Sequence, residues 1–182
     1  MIPHQWTTER LIIADSTLDE ASELQRINDL VPATATWLHV EGKDEADCTM
    51  ASAINDGVLP PTPDRTKERF HLQTVRLNNS QEIIGFWGVY RGFPTADIFW
   101  INALTLDPDF QGKGYGTELM TGVSEIAKQL GGFTAMRSYV ALNNIPSLKM
   151  CVKIGFNKML AIQYEKGHED EAHAHVLLEK TL

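Results

Sequence analysis

Leu104-Thr105-Leu106-Asp107-Pro108-Asp109-Phe110-Gln111-Gly112-Lys113-Gly114-Tyr115-Gly116-Thr117 runs from an apolar strand, through a glycine-rich turn, into an amphipathic helix. Glycines at 112, 114 and 116 allow a tight turn and a close backbone approach to a ligand, with no Cβ in the way. The first amides of a helix lack internal partners and face outward at its positive end. Diphosphate is a natural guest for such a site. One contact of this kind contributes only about 0.3–1 kcal/mol at a surface, so several amides have to converge. The nucleotide P-loop pattern fails, because Gly112-Lys113 is followed by Gly114 and not by Ser or Thr. The dinucleotide fingerprint fails as well, since Thr117 stands where glycine or alanine is required. A glycine-rich turn with no ligand stays open as the plainer reading of the loop alone.

Outward from this stretch, the pattern on either side is that of a mixed α/β chain. After Gly114, the residues Leu119, Val123, Ile126, Ala127 and Leu130 mark one helical face, which Gly131-Gly132 ends. Thr134 to Leu142 is a strand candidate, residues 146–154 a short helix opened by Pro146, and residues 156–166 and 173–181 a closing pair of strands. Upstream, a strand from about Ala96 to Leu106 follows a hairpin, whose first arm is Phe70 to Leu77 and whose second is Glu82 to Tyr90. The first arm alternates apolar and polar residues, which predicts a half-buried strand. Residues 10–14 read as a short strand. A helix over about 18–29 follows, with Leu18, Ala21, Leu24 and Ile27 at three-residue steps and Ser16 or Thr17 as its cap. A helix over about 43–56 ends at Gly57, and Pro60, Pro61 and Pro63 force a loop.

The 182 residues fit one domain, and 43% hydrophobic with 22% charged residues is ordinary for a globular protein. The net charge of −8 argues against tracking along nucleic acid phosphates and suits a cationic substrate, without excluding a small anionic ligand. Cys48 and Cys151 are too few for a disulfide scaffold or a structural zinc site. Met1 to Trp6 shows no basic patch before an apolar run, and no apolar stretch approaches about 18 residues, so neither a signal peptide nor a membrane span is expected. The expected compartment is a reducing cytoplasm.

The spacing Gln111-x-x-Gly114-x-Gly116 after an apolar strand resembles the acetyl-CoA loop of the GNAT superfamily of N-acetyltransferases. Asn144-Ile145-Pro146-Ser147, continuing to Gly155-Phe156, is similar to a second segment of that family at the expected distance downstream. Thr8-Glu9-Arg10-Leu11-Ile12-Ile13 resembles the start of the branch that acetylates ribosomal-protein amino termini. Residues 33–68 match no motif of the family. The resemblance implies one GNAT-like domain over 1–182, with a central mixed, mostly antiparallel sheet of about seven strands flanked by helices, and a splayed strand pair forming an acetyl-CoA slot. It also implies that backbone groups of Leu104, Thr105 and Leu106 pair with the pantetheine arm. Gln111, Gly112, Lys113, Gly114, Tyr115, Gly116 and Thr117 would hold the diphosphate, the Leu104 amide would stabilise the oxyanion, and Asn144 would bond the pantetheine side.

Where the family often carries a tyrosine proton donor, this chain has Cys151, for which burial as a small core residue is the competing reading. Tyr139 and Tyr115 are fallback donors. Trp100-Ile101-Asn102 replaces the carboxylate that many relatives carry in the middle of the strand, which leaves Asp97 and His71 as base candidates. The stretch His168-Glu169-Asp170-Glu171-Ala172-His173-Ala174-His175 is rich in metal-ligand types, but its first two histidines are spaced unlike the zincin pair and a solvated acidic turn explains it better. Trp37, Trp87 and Trp100 would line an acceptor pocket or simply pack. The expected activity is transfer of acetyl from acetyl-CoA to a primary amine, on a peptide or protein amino terminus or a small molecule, without a metal and with a homodimer open. The rival readings are a non-catalytic acyl-CoA-binding module and a metal-dependent hydrolase.

Overall fold

The computed structural model describes residues 1–31, 48–56, 70–164 and 174–182. Eight strands form one sheet in the order β1-β2-β3-β4-β5-β6-β8-β7. They are β1 (Gln5–Thr7), β2 (Leu11–Asp15), β3 (Phe70–Leu77), β4 (Ile83–Arg91), β5 (Ile98–Leu106), β6 (Ala135–Ala141), β7 (Lys158–Tyr164) and β8 (Ala174–Thr181). Among the described residues the α-helices are α1 (Ala21–Asp29), α2 (Met50–Asp56), α3 (Tyr115–Leu130) and α4 (Ile145–Lys153). The pairs β1–β2, β2–β3, β3–β4, β6–β8 and β7–β8 are antiparallel, whereas β5 and β6 run parallel with α3 as their crossover. The mixed α/β class with a mostly antiparallel sheet agrees with the sequence reading. No helix among the described residues is long and apolar enough to cross a membrane.

Two compact units divide the chain: Met1–Tyr90 with Asn102–Tyr115, and Arg91–Ile101 with Gly116–Leu182. The core of the first includes Leu11, Ile13, Leu24, Ile27, Val75, Ile84, Phe86 and Trp87, all inaccessible to solvent. Its α1 is entered through a 3-10 turn over Leu18–Glu20. There the Thr17 N–H donates to Glu20 Oε2 at 2.8 Å and the Glu20 N–H to the Thr17 carbonyl at 3.1 Å. The first of these bonds is the Glu20 arm of a capping box, which satisfies a donor that the helix itself cannot. The core of the second unit includes Phe99, Leu119, Val123, Ala127, Met136 and Phe156. Phe133 meets Phe99 edge to face there, with centroids 5.3 Å apart, a geometry that aromatic quadrupoles favour.

The fold differs from the sequence expectation at several points. The described residues form eight strands against an expectation of about seven, because Gln5–Thr7 adds a short edge strand whose sequence has no alternation long enough to announce it. That strand changes the status of β3, which is not half-buried. Gln73 is fully buried, accepting from Trp6 Nε1 at 2.9 Å. It donates to the Pro3 carbonyl and to Asp15 Oδ1 at 2.8 Å each. Its polar side chain is thus satisfied inside. Leu18 is exposed, because the tighter 3-10 turn takes it off the face that Leu24 and Ile27 share. The expected strand from Ala96 starts at Ile98. Of the helix expected over 43–56, Met50–Asp56 is observed, while residues 43–47 and the proline loop lie outside the described residues.

Candidate functional site

Within the first unit, β5 ends at Leu106 and the chain turns at once. Asp107 is buried and works as a cap, with Oδ1 accepting from the Asp109 N–H at 3.0 Å and Oδ2 from Arg26 Nη2 at 2.6 Å. Burial alone would raise its pKa, but the hydrogen bonds from Arg26 and the Asp109 amide, with the Arg26 charge, outweigh that and hold it below the usual carboxylate range. A short 3-10 turn over Pro108–Phe110 follows. Gln111 then reaches back, its Nε2 donating to the Leu106 carbonyl at 2.8 Å and its N–H to the Pro108 carbonyl at 3.2 Å. Its donors therefore brace the turn against the strand it leaves.

Residues Gln111 to Gly114 are exposed, and α3 opens at Tyr115. Gly112 and Gly114 have φ of 73° and 87°, the left-handed region where other residues are strained. A Cβ on Gly112 would meet nothing within 4 Å, so open space faces that position. The Lys113 ammonium lies 5.1 Å from the centroid of the Phe110 ring, within the range of a cation–π contact. Arg10 also stands at this turn, a residue the sequence did not single out for the site. Gly85 likewise carries no local mark of its role: a Cβ there would come within 2.2 Å of the Thr105 carbonyl oxygen. Only glycine lets β4 run this close to the end of β5. Leu104 and Leu106 are half-buried, and Thr105 is buried between them.

In the second unit, Gly116 and Thr117 continue the first turn of α3, where unpaired helical amides are expected. The Thr117 carbonyl accepts from Thr121 Oγ1 at 2.8 Å. Asn144 is the N-cap of α4, its Oδ1 accepting from the Ser147 N–H at 3.2 Å, the usual way a side chain satisfies a helix-start donor. Cys151 lies on the same helix and is buried, and that burial pushes its thiol up to about 11 although Ser147 pulls the other way. Asp97 accepts from Thr134 Oγ1 and Thr95 Oγ1 at 2.6 Å each. These two bonds hold its pKa down, which makes it a weaker base than an ordinary carboxylate. Trp100 packs edge-on against Phe93 and Tyr139, with both centroid distances 5.2 Å. Burial raises the Tyr139 phenol above its usual range.

In the first unit, Trp87 is fully buried and His71 is half-buried on β3. Trp37 and the histidine-rich residues 168–173 lie outside the described residues, and His175 sits on β8 opposite Ala141.

The model of the acetyltransferase (GNAT) family matches residues 34–156, which takes in the loop, α3, β6 and α4. It also reaches across residues 34–68, where no motif was recognised. Sequence comparison with curated proteins gives no match. Among solved structures, a candidate ribosomal-protein-serine acetyltransferase from Vibrio cholerae superposes with a TM-score of 0.72 at 18% identity, covering 100% of this chain and 99% of that one. Spermidine N-acetyltransferase from Vibrio cholerae, in complex with CoA and spermine, gives 0.70 at 12% identity, with 96% of each chain covered. Mycobacterium smegmatis RimJ, in complex with CoA-disulfide, gives 0.65 at 15%, covering 94% of this chain and 81% of that one. At such identities the likeness establishes a shared fold.

Proposed function

The chain belongs to the acetyltransferase (GNAT) family, and on that premise we propose that it transfers acetyl from acetyl-CoA to a primary amine by direct attack within a ternary complex. One observation carries this reading: the exposed turn at Gly112 and Gly114, left-handed at both glycines and opening directly into α3. Such a turn suits a diphosphate, since its open side has no Cβ and the helix start brings outward-facing amides. Lys113 adds a positive charge in a chain whose net charge is −8.

In this reading, backbone groups of Leu104, Thr105 and Leu106 take up the pantetheine arm as an added strand. Support comes from the register of β5, whose last pair with β6 is Ile101↔Ser138, so these three residues lie beyond it. The Leu104 amide is assigned to the thioester oxygen, where charge develops as the nitrogen attacks. The reaction forms a C–N bond, breaks the C–S bond, and moves one proton from the amine to the departing sulfur. Cys151 enters as a packing residue. Burial holds its pKa at about 11. Protonating the departing thiolate is favourable from any acid stronger than the product thiol, whose ordinary pKa is about 8.5, and the buried cysteine is a weaker one. Positioning of two substrates, with water carrying the proton, supplies the rest. The acceptor is a primary amine on a peptide or a small molecule, a cation that the acidic chain attracts before deprotonation. With only two cysteines, Cys48 and Cys151, in 182 residues, the composition fits a reducing compartment.

The test is release of free thiol from acetyl-CoA mixed with a panel of peptide amino termini, polyamines and amino acids. Amine-dependent release is expected. Binding of acetyl-CoA without release across the panel would overturn the transfer reaction and leave an acyl-CoA-binding module.

A further inference from the structure

Arg10 contacts two residues of the turn, Lys113 and Tyr115, and lies beside the glycine between them. Its Nη1 donates to the Lys113 carbonyl at 3.1 Å, across 103 positions of sequence. Its guanidinium carbon lies 4.4 Å from the centroid of the Tyr115 ring. Its Nη2 lies 3.4 Å from where a Cβ on Gly114 would sit. The arginine is itself held at the backbone: the Asn78 N–H donates to the Arg10 carbonyl at 3.0 Å, and Asn78 Nδ2 to the neighbouring Glu9 carbonyl at 2.6 Å. On its other side, the Leu11 N–H donates to Thr8 Oγ1 at 3.2 Å. A planar fork on an anchored backbone thus spans residues 113 to 115.

The contact with Lys113 controls the direction of an amide. A trans peptide is flat, with its C=O and the following N–H pointing opposite ways. Holding the Lys113 carbonyl toward Arg10 therefore aims the Gly114 N–H away from it. Glycine tolerates both signs of φ, so a peptide plane leading into Gly114 is free to flip unless something selects one side. Arg10 selects it, and its stacking on Tyr115 fixes the first residue of α3 in the same step. A fork with two faces does this where an ammonium, a point charge, does not.

We propose that Arg10 is a positioning residue for the acyl carrier: it orders the turn before the ligand arrives, so that binding does not bear the cost of ordering it. The inference rests on the reading of this turn as the diphosphate site. Arg10→Ala in the full chain is expected to raise the KM for acetyl-CoA about ten-fold. Meanwhile kcat and the KM for the amine should stay within about two-fold, the split expected when only carrier binding is weakened. Calorimetric titration with CoA should show the same loss of affinity. Arg10→Lys keeps the charge without the fork and should stay close to the alanine variant. Full recovery by lysine would overturn the bracing role in favour of simple charge attraction.

Unchanged affinity in Arg10→Ala, beside a wild-type protein that binds CoA, overturns this inference alone. A wild-type protein that fails to bind CoA overturns the site itself. Should Arg10→Ala not fold, Tyr115→Leu removes the ring from the stack and leaves the anchors of Arg10 in place. It is expected to weaken CoA binding about three-fold, and equal affinity there counts against the brace.

Discussion

The two segments that carry the family resemblance, the glycine turn at 111–117 and the Asn144 to Phe156 segment, treat their polar groups in opposite ways. The turn braces itself with its side chains and leaves backbone outside: Asp107 is tied to Arg26, Gln111 reaches back to Leu106, and Gly112 and Gly114 remain exposed. The second segment turns its groups inward. Asn144 caps α4, and the Cys151 thiol is buried with its pKa raised. Motif resemblance alone does not tell ligand contact from folding support. The partners of each polar atom separate the two.

The largest effect is expected from tightening the approach behind the turn. Gly85→Ala forces a Cβ against the Thr105 carbonyl, backbone that cannot swing aside. Overpacking of this kind should lower stability by about 2 kcal/mol in denaturant unfolding. Stability equal to wild type would mean that β4 and the end of β5 are not packed as described. Next in size, Gly114→Val should weaken acetyl-CoA binding about ten-fold, equivalent to about 1.4 kcal/mol, with the native circular dichroism retained. Unchanged affinity in a calorimetric titration would break the turn's half of the comparison.

Asn144→Ala sharpens the other half. Loss of an N-cap should cost about 1 kcal/mol in stability. If affinity for CoA falls as well, beyond what the lost stability explains, the residue contacts the carrier in addition to capping the helix. A smaller effect is expected at Glu179, which joins β6 and β7 to β8 through Arg137 Nε at 2.7 Å and Lys158 Nζ at 3.2 Å. The Arg137 hydrogen bond holds its pKa below the ordinary value despite burial, with help from Lys158. Its folded pKa is depressed, so its contribution is complete above the unfolded value of about 4.3 and is lost as pH falls through the folded one. Glu179→Gln should flatten the acid limb of a stability-against-pH curve, and an unaltered limb would discount the pair. The smallest effect is expected from Cys151→Ser, whose kcat should stay within about two-fold of wild type. A drop of an order of magnitude would restore the thiol as an acid.

How legible these features were depended on how far their partners lie along the chain. Gly112, Gly114 and the start of α3 were readable because the backbone does the work, and glycine and helix periodicity are local signals. Arg10 was visible only as part of a motif, since its partner Lys113 is 103 positions away. Gln73 looked like a solvent-facing residue of an alternating strand until β1 brought Trp6 over it. β1 has three residues, too few for any period to show. Gly85 carried no sign of its role, because close approach of two strands is a property of the pair and not of either sequence. The parallel β5–α3–β6 unit was readable as strand, turn and helix in succession.

The most direct test of the central claim is a crystal structure grown with CoA. Diphosphate density against the backbone amides of residues 112 to 116 is the result this account predicts. Density for the carrier elsewhere on the protein, in crystals where that turn is free of lattice contacts, would contradict it.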